Sequence, residues 1–280
     1  MKFSDLILHT KSRTNLENYL KKPMHALLLV GENGVGLRTI AKSLAQEIAK
    51  ANMIIIEPKL HNQQKTANIN IDDIRDLHEI TRARRDKNFV ILIDDVDKMT
   101  NDAPQAFLKL LEEPTANIFY ILTSHNAKRL PETIRSRTQI IEILPPPKTA
   151  VQEIFKVSPT KLMAEKRAQI EFLGERKPAE IVRLLTDEQY FRDKAAVMNT
   201  AKKFIQGSVA EKLKIVVATT ARETAIELAQ NIAKLLILTA PKSKNPKMIA
   251  ESLSILTKTI ENLTQNGHVK TQLLNLALNI

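Results

Sequence analysis

The sequence predicts an α/β module built on a parallel sheet over residues 1–147, followed by helices alone over residues 148–188 and 189–280. Three observations predict it. Short apolar runs alternate with helix-period stretches in the first half, a glycine-rich turn joins the first run to a helix, and Pro145, Pro146 and Pro147 close the alternation. Candidate strands are His25–Val30, Met53–Glu57, Phe89–Ile93 and Ile118–Thr123. Each is a near-continuous run rich in Leu, Ile or Val, the pattern of a parallel strand covered on both faces. Between the first two, Thr39–Lys50 sets Ile40, Leu44 and Ile48 at i, i+4 and i+8, one apolar stripe for packing on a sheet. The prolines cannot donate to a backbone ladder, so they end the sheet and begin a linker. Residues 160–187 then predict two short helices broken at Gly174 and Pro178. Gly207–Ser208 and Pro241–Pro246 separate longer amphipathic helices, the last of them LLNLALNI.

Composition narrows the function classes. With 43% apolar and 26% charged residues the chain can bury a core and lacks the signature of disorder. The absence of cysteine removes disulfides, a thiolate zinc site and a catalytic thiol, and makes the cytoplasm the expected compartment. The start, MKFSDLILHTKS, holds no apolar stretch of signal-peptide length, and runs such as ALLLV and FVILI fall far short of the roughly 18 residues that span a bilayer. No membrane association is expected. Net charge is +11, and it is uneven: residues 1–147 carry 21 basic and 18 acidic side chains, residues 148–280 carry 21 and 13. That excess suits a polyanionic partner and equally a well-solvated helical surface. Aromatic residues are only 4% with no Trp, which argues against stacking on single-stranded bases, so any DNA contact should be electrostatic, sequence-independent and salt-sensitive.

In HALLLVGENGVGLRTIAKSLA, Gly31, Gly34 and Gly36 stand between a strand and a helix, where backbone N–H groups can face phosphate. This is P-loop-type context. Against G-x-x-x-x-G-K-[ST], Gly31 and Gly36 keep the spacing, but Leu37 takes the lysine place and Arg38 the hydroxyl place. Lysine supplies charge on the β- and γ-phosphates and the hydroxyl holds magnesium, so hydrolysis at this loop is not expected. Thr39 comes one residue late. Weak nucleotide binding and a plain strand-to-helix turn both stay open.

Phe89–Ile93 runs into Asp94, Asp95, Val96 and Asp97, placing carboxylates at the C-terminal end of a strand, where doubly wound sheets bind ligands. Asp94 fits the magnesium-side acid of a Walker B element. Asp95 holds the place of a water-orienting glutamate and is one methylene shorter. The alternative is acids capping a loop and the next helix, above all for Asp97.

Residues 89–138 closely resemble the AAA+ clamp-loader subunits of bacterial DNA polymerase III. The segments FLKLLEEP (107–114), FYILTS (119–124) and LPETIRSR (130–137) follow a Walker B strand in that family's order and spacing. INIDDIRDLHEI and HALLLVGENGVG resemble the same family. The resemblance covers about residues 1–145, and FLGERKPAEIVRLL (172–185) is similar to a sensor 2 helix, with Lys177 at the usual arginine place beside Arg176. It implies an AAA+ module over 1–147, a helical lid over 148–188 and a helical collar over 189–280. Within the family the damaged phosphate loop points to the delta prime branch, an ATPase partner and not an ATPase. The four-cysteine zinc module of many relatives is missing, since the chain has no cysteine.

The resemblance further implies a hetero-oligomer with motor subunits and a clamp-opening subunit, acting on a sliding clamp and on primed DNA. Ser136–Arg137 matches the element whose arginine reaches a neighbour's nucleotide in trans; a guanidinium is always charged and forks onto phosphate oxygens. Arg135 competes for the role, and a surface arginine paired with a carboxylate is the plain alternative for either. Thr123 and Ser124 match sensor 1. Gly31, Gly34, Gly36, Thr39, Asp94, Asp95, Thr123 and Lys177 would then line a degenerate nucleotide site, weak or empty, with no metal and no cofactor of its own. Other readings are a self-sufficient DNA-dependent ATPase, such as a helicase loader or recombination motor, and a DNA-binding module driven by the basic C-terminal half. His125 reads as a loop histidine without an acid partner at matching spacing. The run from Arg82 through Arg84 and Arg85 to Lys87 reads as cations at a helix C-terminus.

Overall fold

The computed structural model describes residues 2–60, 66–82, 85–157, 163–242 and 245–280; Arg84, residues 160–162 of the expected lid helices and residues 243–244 of the Pro241–Pro246 break lie outside them. By its contacts the chain forms two units, Met1–Thr186 and Asp187–Ile280.

The first unit runs α1 (Thr10–Lys21), β1 (Ala26–Gly31), α2 (Leu37–Ala49), β2 (Met53–Ile56), α3 (Ile71–Arg82), β3 (Phe89–Ile93), α4 (Ala103–Glu112), β4 (Ile118–Ser124), α5 (Glu132–Arg135) and β5 (Gln139–Ile143). It continues through α6 (Lys148–Val157), α7 (Ala164–Gly174) and α8 (Pro178–Thr186). The sheet order is β2-β3-β4-β1-β5 and every neighbouring pair is parallel. Successive side chains of the central strands feed opposite faces. Leu27, Leu29, Val90, Leu92 and Ile121 join the core under α1 and α2, while Leu28, Ile91, Ile93, Tyr120 and Leu122 join the core under α3 and α4. That two-sided burial is what the near-continuous apolar runs of β1, β3 and β4 signify.

The edges depart from the sequence expectation. β2 is an edge strand ending at Ile56, with Ile55 36% exposed, so its apolar run is not covered on both faces. A fifth strand, β5, was not among the predicted ones: QIIEI alternates, with Ile141 and Ile143 buried and Ile140 turned out, a short half-covered edge. α1 was also unpredicted; it buries Leu16 and Tyr19. Its Ser12 hydroxyl donates to the Glu142 carbonyl (3.2 Å) and accepts the Leu144 N–H (3.0 Å), tying the helix to the end of β5. α2 starts at Leu37, two residues before the expected Thr39, because Gly36 in the left-handed region (φ 98°) already turns the chain into the helix.

After the prolines α6 begins at Lys148. α7 and α8 meet at Gly174, where a Cβ would lie 2.2 Å from Ile181 Cγ1, so any larger residue drives the two helices apart. The segment expected as a lid thus contributes α6, α7 and α8 to the first unit.

The second unit contains α9 (Glu188–Gln206), α10 (Val209–Ala218), α11 (Arg222–Thr239), α12 (Pro246–Thr264) and α13 (Val269–Asn279). Its core includes Phe204, Leu228, Ile232, Leu256, Leu263, Leu273 and Leu276. Gly207–Ser208 separates α9 from α10, and Ser208 with Glu211 forms a capping box that satisfies the first turn of α10.

Candidate functional site

β1, β3 and β4 are parallel neighbours, so their C-terminal ends bring the glycine loop, the acids after β3 and the residues after β4 to one edge of the sheet. Gly31, Gly34, Gly36, Asp94, Asp95 and Thr123 meet there. Gly31 is required by close approach: a Cβ would sit 2.9 Å from the Ile143 carbonyl oxygen.

Leu37 does not face this edge. It is 2% exposed and packs in the core with Val35, Ile40 and Ile143. Arg38 does face it. Its guanidinium forms an ion pair with Glu57, and its Nε lies 3.6 Å from Asp94 Oδ2. Asp94 is buried and also accepts the Thr123 hydroxyl (2.6 Å), while that same oxygen of Thr123 accepts the Asp95 N–H (2.9 Å). Thr123, 0% exposed, therefore spends its hydroxyl on pinning β3 to β4. Thr39 is exposed on α2 and Ser124 accepts the Asn126 N–H.

Asp95 sits in the left-handed region (φ 50°), with Oδ2 2.7 Å from Lys98 Nζ and Oδ1 3.5 Å from His125 Nε2. His125 Nδ1 donates to the Gly31 carbonyl (2.8 Å), and the His125 N–H donates to Asp97 Oδ1 (3.1 Å). The expectation that His125 lacks an acid partner is thus corrected: strand adjacency supplies Asp95, and the histidine bridges the glycine loop to the acidic turn.

The N-terminal turn of α8 lies on the glycine loop. Glu180 N–H donates to the Gly34 carbonyl (3.0 Å), and a Cβ at Gly34 (φ 88°) would come within 2.8 Å of Glu180 Cβ. Lys177 Nζ pairs with Glu32 (3.0 Å) in the loop and with Glu175 (3.1 Å). Burial on its own would lower the Lys177 pKa, but the bonds to Glu32 and Glu175 outweigh it and hold the ammonium above the ordinary lysine range. The raised value has a definite sign. The tie is fully present at neutral pH and is lost only as pH climbs through that raised value. Lys177→Met should therefore leave the fold intact and speed hydrogen exchange at the Glu180 amide roughly three- to tenfold at pH 7, the effect of losing about 1 kcal/mol of partly screened ion pairing. Unchanged exchange would show that α8 is held by packing alone.

Arg137 is not part of this edge. β1 and β5 are parallel with Gly31 opposite Ile143 and Leu27 opposite Gln139, so Arg137, just before β5, lies at the other end of the sheet. The four steps of strand from Gln139 to Ile143 alone put the start of β5 roughly 13 Å from the level of Gly31, and Arg137 precedes that start. Its Nη2 is 2.8 Å from Glu112 Oε1, and its Nη1 donates to the Thr133 carbonyl (3.1 Å) and to Ser136 Oγ (3.4 Å). In the described subunit it is thus a surface arginine paired with a carboxylate. Arg135 has a buried Nε with no hydrogen-bond partner among the described residues. Arg85, within the basic run, donates to the Ile80 carbonyl (3.2 Å) and lies 3.7 Å over the Phe89 ring, in keeping with a cation closing a helix C-terminus.

Sequence reading missed Glu57, Glu32, Glu180 and Glu112 as partners. Glu57 carried a signal, an acid at the C-terminal end of a predicted parallel strand; the others carried none, because their partners are remote in sequence. At this edge the Arg38 guanidinium stands against Asp94, Leu37 and Arg38 follow Gly36 where the motif would have lysine and a hydroxyl, and Glu32 and Glu180 lie close to the loop.

Residues 49–147 match the family described as "DNA polymerase III, delta subunit". A DNA polymerase III subunit delta' of Haemophilus influenzae is 27% identical over 135 residues, 41% of each chain. A DNA polymerase III subunit gamma of Buchnera aphidicola is 33% identical over 141 residues, 42% of this chain and 38% of the relative. The matches span about two-fifths of the length of these relatives. Among solved structures, a DNA polymerase III gamma subunit-related protein of Thermotoga maritima superposes with a TM-score of 0.55 at 18% identity, over 96% of this chain and 97% of that one, a likeness of fold.

Proposed function

We propose that the chain is a delta prime-like clamp-loader subunit that does not hydrolyse ATP itself, a reading supported by the match of residues 49–147 to the DNA polymerase III family and by the likeness to DNA polymerase III subunits over about two-fifths of the chain. It supports loading of a sliding clamp onto primed DNA and lends Arg137 to the nucleotide site of a neighbouring motor subunit. Its partners would be the motor and clamp-opening subunits, the clamp, and primed DNA met through the assembly without sequence preference. The reading carries a cytoplasmic location with it; among the described residues no helix is long and apolar enough to cross a membrane.

One observation carries it: Arg38 is ion-paired with Asp94 and Glu57 while Leu37 is sunk in the core, so the groups that would hold magnesium and phosphate are engaged with the protein itself. The position of Arg137 beyond the opposite end of the sheet supports the second half, since a residue at that edge does not reach its own loop and is free to serve a neighbour's.

Equilibrium titration of the isolated chain with magnesium-ATP tests the reading. No saturation is expected up to about 1 mM, the upper end of the range in which enzymes commonly work. Micromolar binding accompanied by hydrolysis would overturn it in favour of a self-sufficient DNA-dependent ATPase.

A further inference from the structure

We infer that Glu112 is a positioning residue for Arg137, holding the guanidinium at the sheet edge from which it is presented to a neighbouring subunit; this rests on the reading of Arg137 as an arginine that acts in trans. Glu112 ends α4, and the chain then turns into β4, so it lies at the N-terminal edge of the sheet, the same edge at which Arg137 leads into β5. The partners of Arg137 divide in two. Thr133 and Ser136 belong to α5 and its cap, within four residues of the arginine, and they move with it. Glu112 lies on a separate helix whose Phe107 is locked against Tyr120 of β4, so its carboxylate at 2.8 Å refers the guanidinium to the rigid sheet.

The pair is strong enough to orient and weak enough to yield. Both side chains are partly exposed, 38% for Arg137 and 44% for Glu112, so water screens the attraction and an approaching phosphate can reach the guanidinium. Because a planar guanidinium has five N–H donors, a contact with one carboxylate oxygen does not use up its capacity for phosphate. Of the two adjacent acids in FLKLLEEP, Glu112 makes this contact, which gives that segment a role beyond its apolar stripe.

The test uses the complex reconstituted with its motor subunits, clamp-opening subunit, clamp and primed DNA, and compares wild type, Glu112→Ala, Glu112→Gln, Arg137→Ala and the double variant Glu112→Ala with Arg137→Ala. Glu112→Ala should lower kcat roughly three- to tenfold with KM for ATP unchanged, the signature of an interaction felt in the transition state. Glu112→Gln, which keeps an acceptor oxygen, should recover part of the loss and serves as the variant of record should the alanine form assemble poorly. The double variant should be no slower than Arg137→Ala, because a residue that acts only through Arg137 has nothing left to position. Losses that multiply in the double variant, or wild-type kcat in both Glu112 variants, overturn the inference. If Arg137→Ala alone loses nothing, the failure belongs to the reading of Arg137, and the positioning role falls with it.

Discussion

Arg137→Ala is expected to reduce primed-DNA-stimulated ATP hydrolysis by the reconstituted complex at least about tenfold, a threshold of about 1.4 kcal/mol that lies well below the roughly 10³- to 10⁵-fold an arginine finger contributes. The effect should appear with assembly unchanged by size exclusion. Arg137 is a partly exposed residue that contacts Glu112, Thr133 and Ser136, and none of these contacts supports the core. Loss of its exposed ion pair costs at most about 1 kcal/mol of stability, too little to unfold the subunit. A fall in turnover with intact assembly therefore reports on chemistry. Unchanged hydrolysis would reduce Arg137 to a surface arginine paired with a carboxylate, and a fall that follows loss of the complex would make it an assembly residue.

Phe107→Ala is expected to destabilise the α/β unit by roughly 3–5 kcal/mol, the range for emptying a buried aromatic site. Phe107 is fully buried and stands edge-on to Tyr120, centroids 5.5 Å apart with planes at 81°. The ring fills the gap between α4 and the sheet, with Ile74, Leu77 and Leu110 in the same apolar cluster. Emptying the site loses both transfer energy and contact energy. The measurement is the urea midpoint of the α/β transition. Phe107→Leu should cost clearly less, and a loss below about 1 kcal/mol for the alanine form would mean that α4 collapses onto the sheet.

The fold was legible where periodicity is strong. β1, β3 and β4 are buried on both faces and read directly from Leu, Ile and Val runs; α7 and α8 read from Gly174 and Pro178. β5 escaped because five residues with alternating burial, flanked by Arg137 and the prolines, carry half the apolar signal of a central strand. α1 escaped because its buried positions Ser12, Leu16 and Tyr19 include a serine, whose value lies in two hydrogen bonds and not in hydrophobicity.

By itself the sequence determined the α/β class, the glycine turn at the end of the first strand, the loss of the loop's lysine and hydroxyl, and the acids at the end of the third strand. These are local properties: propensity, spacing and residue type settle them within a few positions. Tertiary structure alone decided which charge meets which. Strand order set β3 beside β4, giving Asp94 and Asp95 the Thr123 hydroxyl and His125. It aimed Arg38 at Asp94, brought Lys177 back to Glu32, and left Arg137 with Glu112 at the far edge of the sheet. Such partners lie 25 to 145 residues apart in the chain, and no local pattern encodes them, because an ion pair is fixed by where packing leaves two side chains and not by their spacing in sequence.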